Sequence, residues 1–309
     1  MARVQSPRRS HPALATRRRR LLRMAALAGI AAIAPPRGPS LAAVNLAGQE
    51  VSISTKDGLL TATFSERTDD SILNASIPAL AAEGVQAVSL RGAPVKDMRS
   101  FARLASLRTL DICGTQVRDV TAIGALTELQ SLNLQFLPVS DLKPLAQLTS
   151  LRFLNIGGTD VHDLAPLAGL TNLHDLILAV TKVADLSPLA SLRQLSTLDL
   201  GNTWVSDVRP LAGMINLIDL KLNGTRIDDV RPLESMTNLM SLDLTATGVS
   251  DIRPIARLTE LRSLNIEGTQ VADVAPLASL KELRTLAVGG SLVKDTSSLA
   301  RLTGLEIRE

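Results

Sequence analysis

A block of 22 residues recurs from about Val85 to the C-terminus, and no other feature constrains the fold so tightly. Leucines at Leu107, Leu129, Leu151, Leu173, Leu195, Leu217, Leu239, Leu261, Leu283 and Leu305 fall in one register. Each block reads L-x-x-L-x-L-x-x-T-x-V-x-D-[L/V/I]-x-P-L-A-x-L. A fixed period of this length is the mark of a solenoid, in which each unit buries its apolar face only against its neighbours. Little room is left for an irregular catalytic pocket.

The offsets predict the path of one coil. Leu198-Asp199-Leu200 alternates apolar, polar, apolar, as a strand with one buried face does. Its counterparts recur in every block, and stacked in parallel at about 4.8 Å each they form one long sheet. Asp then appears at offset 13 of every block, from Asp97 and Asp119 to Asp295, ahead of a short apolar segment such as Val208-Arg209-Pro210-Leu211. A carboxylate accepts from free N–H groups at a helix start, and proline is tolerated in the first turn. Each coil is therefore expected to return through one short helical or 3₁₀ turn on the convex side. The periodic aspartates read as caps, not as a metal or acid ladder. Thr at offset 9 (Thr115, Thr159, Thr181, Thr203, Thr225, Thr247, Thr269) is expected to bond peptide groups of the turn that follows the strand.

These motifs resemble the 22-residue leucine-rich repeat of the internalin-like bacterial class, with its recurring D-[I/L]-x-P-L-A-x-L tail. The resemblance covers about residues 79–309. Thr stands at the strand exit where that class usually has Asn. The implied fold is an α/β leucine-rich repeat solenoid, curved, with a parallel sheet on the concave face, 3₁₀ or α turns on the convex face, about ten repeats and an N-terminal cap. The resemblance also implies a possible host-cell contact.

Residues 1–42 are a different kind of sequence. Arg17-Arg18-Arg19-Arg20-Leu21-Leu22-Arg23 leads into an Ala-rich apolar run from Met24 to Ala34, with small residues near Ala42 and Ala43. This is the layout of an export signal of twin-arginine type, with a disordered basic tail as the alternative. The apolar run is too short for a stable membrane span. The expected destination is the periplasm or the medium. Residues 43–78 break the period. Val51 to Thr55 and Leu60 to Phe64 alternate about Lys56-Asp57-Gly58, which predicts a hairpin, and a short helix is expected from about Ser76 to Ala82. This segment is read as the cap over the first coil. At the other end, the charges of Leu305-Glu306-Ile307-Arg308-Glu309 either blunt a strand edge or mark where a second copy docks; a monomer is expected.

Nine of the 33 basic residues are arginines of the first 42 positions, which hold no acid, so 24 basic groups face 30 acidic ones in the remainder. No basic stripe is left to neutralise phosphates, and aromatics make up only 2% of the chain, so nucleic acid is not an expected partner. Cys113 is the only cysteine, which excludes a disulfide within the chain. With three histidines, no paired metal ligands and no nucleophile-base spacing, no catalytic residue, no metal and no cofactor is expected.

Binding residues are sought where the pattern breaks. The outward strand positions are mostly small and polar, so Phe153 and Ile177 stand out, as do Phe136 and Val180 at strand exits and Trp204, the only tryptophan. Aromatic anchors among small polar groups suit a protein-binding hot spot, although Phe136 or Trp204 could instead fold back over its own turn. Next to them Asp175, Asp199, Asp219, Lys221 and Asp243 are expected to lie close, with Lys221 between Asp199 and Asp243. The expected function is an exported, non-catalytic module that binds a partner protein of host or envelope on its concave face, with glycan or cell-wall binding on the same face as the alternative.

Overall fold

The computed structural model describes residues 51–309; the expected export signal lies outside them. Strands β1 (Val51–Lys56) and β2 (Leu59–Phe64) form an antiparallel hairpin. Helix α1 (Asp70–Ala82) follows. Then come β3 (Ala87–Ser89), β4 (Thr109–Asp111), β5 (Ser131–Asn133), β6 (Phe153–Asn155), β7 (Asp175–Ile177) and β8 (Thr197–Asp199). The series continues with β9 (Asp219–Lys221), β10 (Ser241–Asp243), β11 (Ser263–Asn265), β12 (Thr285–Ala287) and β13 (Glu306–Arg308). The strands stand side by side in chain order in one sheet, parallel from β2 onward. A short 3₁₀ turn returns the chain between successive strands from β3 on. This is a leucine-rich repeat solenoid.

One continuous core runs the length of the coil stack, and its leucines are essentially sealed from water. Three-residue strands are far too short to hold alone, so their stability comes from these rows and from the coils on either side. The aspartates do cap the convex turns. All ten accept an N–H two residues on through Oδ1, as from Arg209 to Asp207 at 2.9 Å and from Ala165 to Asp163 at 2.8 Å. Where arginine follows, its guanidinium closes back on the same carboxylate, as Arg99 on Asp97 and Arg253 on Asp251, both at 2.6 Å. That hydrogen bond, with the backbone N–H, pulls the Asp97 and Asp251 carboxyls down to about 2. The threonines behave as expected: Thr159, Thr181, Thr203, Thr225, Thr247 and Thr269 donate to a carbonyl three residues back. Thr115 Oγ1, buried, has no such partner.

Two boundaries differ from expectation. Helix α1 starts at Asp70 and not near Ser76, because Asp69 caps it by accepting from Ser71 and Ile72 N–H at 2.9 and 3.0 Å. Pro78 sits inside it on the exposed side, while Leu73, Ile77 and Leu80 face the core. At the other end the 22-residue register slips by one: Thr285 pairs with Glu306 and Leu286 with Ile307. The apolar spacing Leu305-x-Ile307 is one residue shorter than Leu-x-x-Leu, so seating Ile307 under Leu286 requires a shorter coil. Gly304, at φ 78°, lies just ahead of that slip.

Candidate functional site

The concave floor carries two outward rows, which alternate with inward leucines. In one, Phe153, Asp175, Thr197, Asp219 and Ser241 are in register; in the other, Asn155, Ile177, Asp199, Lys221 and Asp243. Phe153 and Ile177 therefore sit on adjacent strands but diagonally, Phe153 opposite Asp175 and Ile177 opposite Asn155. Both are half-buried.

The second row has a structural duty that the sequence reading missed. Asp111, Asn133, Asn155, Asp199, Asp243 and Asn265 each turn Oδ1 back to accept the N–H two residues on, at 2.9–3.1 Å, and so hold the strand exit. Asp199 and Asp243, expected as partner contacts, thus each commit an oxygen to their own turn. Asp243 also accepts from the Thr245 hydroxyl at 2.6 Å. The signal was available as Asp or Asn at the last strand position. Ile177 and Lys221 interrupt this row. Lys221 leans to Asp199, Nζ to Oδ2 3.5 Å, a long contact from an exposed ammonium and of small energetic weight.

Asp219 is different. Its Oδ1 is buried without a hydrogen-bond partner, as is Oγ1 of Thr197 in register beside it. Burial pushes the Asp219 carboxyl above the usual range; Ser241 and Lys221 act against this, and the neighbouring Asp199 and Asp243 charges add to it. A carboxyl whose folded value is raised destabilises the fold when ionised. The penalty is absent below the ordinary carboxylate range, grows as pH rises through the raised value and is complete above it. Asp219→Asn is expected to raise stability by about 1 kcal/mol at neutral pH. In urea titrations at several pH values the gain should vanish in acid; a loss of stability at neutral pH would refute the assignment.

At the strand exit, the residue before each Thr position adopts a left-handed backbone in every coil. Glycine fills this place at Gly92, Gly114, Gly158, Gly224, Gly268 and Gly290, but Phe136 (φ 62°), Val180 (φ 60°), Asn202 and Ala246 occupy it too. For phenylalanine, and more so for β-branched valine, that conformation is strained. Nor is the strain offset by burial, since Phe136 is 61% and Val180 57% exposed. The Phe136 ring lies over Gly158 of the next coil, where any Cβ would collide with it. Trp204, half exposed on the coil of β8, has the Arg226 guanidinium 5.8 Å from its ring centroid. Arg226 was not singled out from sequence; only its 22-residue spacing from Trp204 could have flagged it. Phe136, Phe153, Ile177, Val180 and Trp204 thus gather on four consecutive coils, β5 to β8, with the charged group continuing to β10.

The coiled architecture that carries these residues is shared with solved proteins. An internalin, InlF, from Listeria monocytogenes is 30% identical, with a TM-score of 0.73 over 76% of this chain and 73% of its own. The chain belongs to the internalin-like leucine-rich repeat family. A leucine-rich repeat protein of Leptospira interrogans is 16% identical (TM-score 0.60; 79% of this chain, 74% of that one). The ectodomain of a plant receptor kinase from Arabidopsis thaliana is 17% identical (TM-score 0.64; 80% and 31%). No protein-family model matches the sequence, and no curated protein matches it. Among the described residues no cluster of His, Cys, Asp or Glu could hold a metal ion, and no helix is long and apolar enough to cross a membrane. Burial pushes the Cys113 thiol up, away from a reactive thiolate.

Proposed function

We propose that this chain is an exported, non-catalytic recognition module that grips a partner protein with the exit rim and floor of its concave face. The observation that carries the reading is the pair Phe136 and Val180, strained at φ 62° and 60° yet left exposed. Six coils complete the same turn with glycine, so the turn does not require these side chains. Strain kept at an exposed position points to a use outside the fold. Phe153, Ile177 and Trp204 extend the apolar strip, and Asp175, Asp199, Asp219, Lys221 and Asp243 supply its polar border, the layout of an anchor with a wet rim. The leader of residues 1–42 supports export to the periplasm or medium. The Arabidopsis ectodomain was solved in complex with Casparian strip integrity factor 2, so the architecture is one that has been seen holding a partner.

Glycan binding has less support, because the only tryptophan has Arg226 over its ring and is not a free stacking platform. The test is photocrosslinking with a benzophenone side chain in place of Phe136 or Val180, and of Arg209 on the convex turn as the control. Incubated with envelope or host-surface proteins, the first two positions should yield a discrete protein adduct and the third none. Adducts from Arg209 alone would refute the reading, and retention on immobilised polysaccharide after removal of all other protein would favour the glycan alternative. Mass measurement of the exported protein should find its N-terminus near Ala42 or Ala43.

A further inference from the structure

We infer that the flank of the coils of β3, β4 and β5, between the strand exits and the convex turns, is a binding site for a small organic oxyanion, a phosphate or carboxylate compound. A cavity of about 600 Å³ opens there, lined by Lys96, Thr115, Gln116, Arg118, Asp119 and Pro138. That is the size of a small-molecule site and more than a bare ion fills. Lys96 and Arg118 are 22 residues apart at one offset of the repeat, so they stand at the same place on adjacent coils. The next coils carry Ser140, His162, Ala184 and Ser206 at that offset, and no other neighbours there are both Lys or Arg. Two like charges this close repel unless an anion lies between them.

The protein itself does not supply that anion. The carboxylates around the pair are spent elsewhere. Asp97 is held by the Arg99 guanidinium at 2.6 Å, and Asp70 accepts the backbone N–H groups of Lys96 and Asp97 at 2.8 and 3.0 Å. Asp119 Oδ1 accepts from Thr121 N–H at 2.9 Å. Asp160, near enough to feel the Arg118 charge, is taken by Lys182 at 2.9 Å. Both cations are exposed, and among the described residues neither has a carboxylate within ion-pair distance. Thr115 supplies the independent sign. It is 4% exposed, and of the seven repeat threonines at this turn it alone has a hydroxyl with no acceptor. The oxygen is sealed as it stands, so it reaches a ligand by a turn about χ1, and no hydrogen bond holds it against that turn. Gln116 adds an amide donor, and Pro138 adds a rigid wall without an N–H. An oxyanion seated here meets two cations and neutral donors, the charge-assisted set that such groups favour. Asp119 opposes it and limits its affinity. The site stands whether or not the concave rim binds a protein.

The test is titration calorimetry of the full chain at low ionic strength with glucose 6-phosphate, citrate and inorganic phosphate, and with glucose as the uncharged control. Glucose 6-phosphate or citrate should bind, the tighter of the two showing whether the group is phosphate or carboxylate. Inorganic phosphate should bind about tenfold more weakly and glucose not at all. Lys96→Met and Arg118→Met should each weaken the organic anion about tenfold or more. Lys294→Met, a lone cation at the same offset on a distant coil, should change nothing. Asp119→Asn keeps a capping side chain and removes the opposing charge, so it should bind more tightly. Melting curves confirm that each variant is folded. No binding of either organic anion, single variants at Lys96 and Arg118 that bind as the wild type does, or an equal loss from Lys294→Met would each overturn the proposal.

Discussion

Leu198→Ala is expected to cost about 3 kcal/mol of unfolding free energy and to divide unfolding into two steps. Leu198 is fully buried at the centre of the array, in register with Leu176 on one side and Leu220 on the other. Truncation removes the buried methyl groups and leaves a cavity that neighbouring leucines, locked in their own coils, cannot collapse into. In a nearest-neighbour array one weak coil also weakens the coupling between the two halves. Calorimetry should show the single wild-type transition broaden or separate. Leu286→Ala, beside the last strand, should lower stability without dividing the transition. Equal effects at both sites would mean that the array does not fold through neighbour coupling.

Val180→Gly is expected to act in opposite directions on stability and on binding. Relief of the left-handed strain is worth about 1–2 kcal/mol, and the entropy of an added glycine takes back about half of it, for a net gain of up to about 1 kcal/mol. Phe136→Gly should gain less, because the ring also loses its contact with Gly158. Loss of an exposed anchor at a hot spot costs about 2 kcal/mol of affinity, roughly a thirtyfold weaker complex. The double variant should therefore melt higher and bind the crosslinked partner much more weakly. Melting temperature and titration calorimetry read the two quantities on one sample. A variant that binds as before would remove these residues from the interface.

Most of the fold was legible because periodicity dictates it. Leu107 to Leu283 mark the core, Asp97 to Asp295 mark the convex caps, and threonine marks the turn, each through a local rule that works one coil at a time. What was not legible depends on competition between local rules. The start of α1 went to the Asp69 cap over the proline-containing segment. The slip at β13 came from one missing residue in the apolar spacing. Neither is visible in a consensus. For the candidate site, sequence singled out Phe136 and Val180 because they depart from Gly, Ala and Asn, but the reason those residues matter, a left-handed backbone, needed coordinates. It did not reveal that Asp199 and Asp243 each also hold their own strand exit, a bond of two residues' span that composition alone does not show. Arg226 over Trp204 is a contact between coils, readable only once the 22-residue stacking is taken as literal geometry.

In the proposed division of labour, regular residues hold the coils up and irregular ones on the exit rim do the binding. Amide hydrogen exchange of the full chain, with and without the crosslinked partner, tests it most directly. Protection on binding should be confined to the strand exits around Phe136, Val180 and Trp204 and to the neighbouring strands β6 to β9, with the convex 3₁₀ turns unchanged. Protection centred on the convex turns, with the exit rim exchanging as in the free protein, would place the binding surface on the convex side and refute that division.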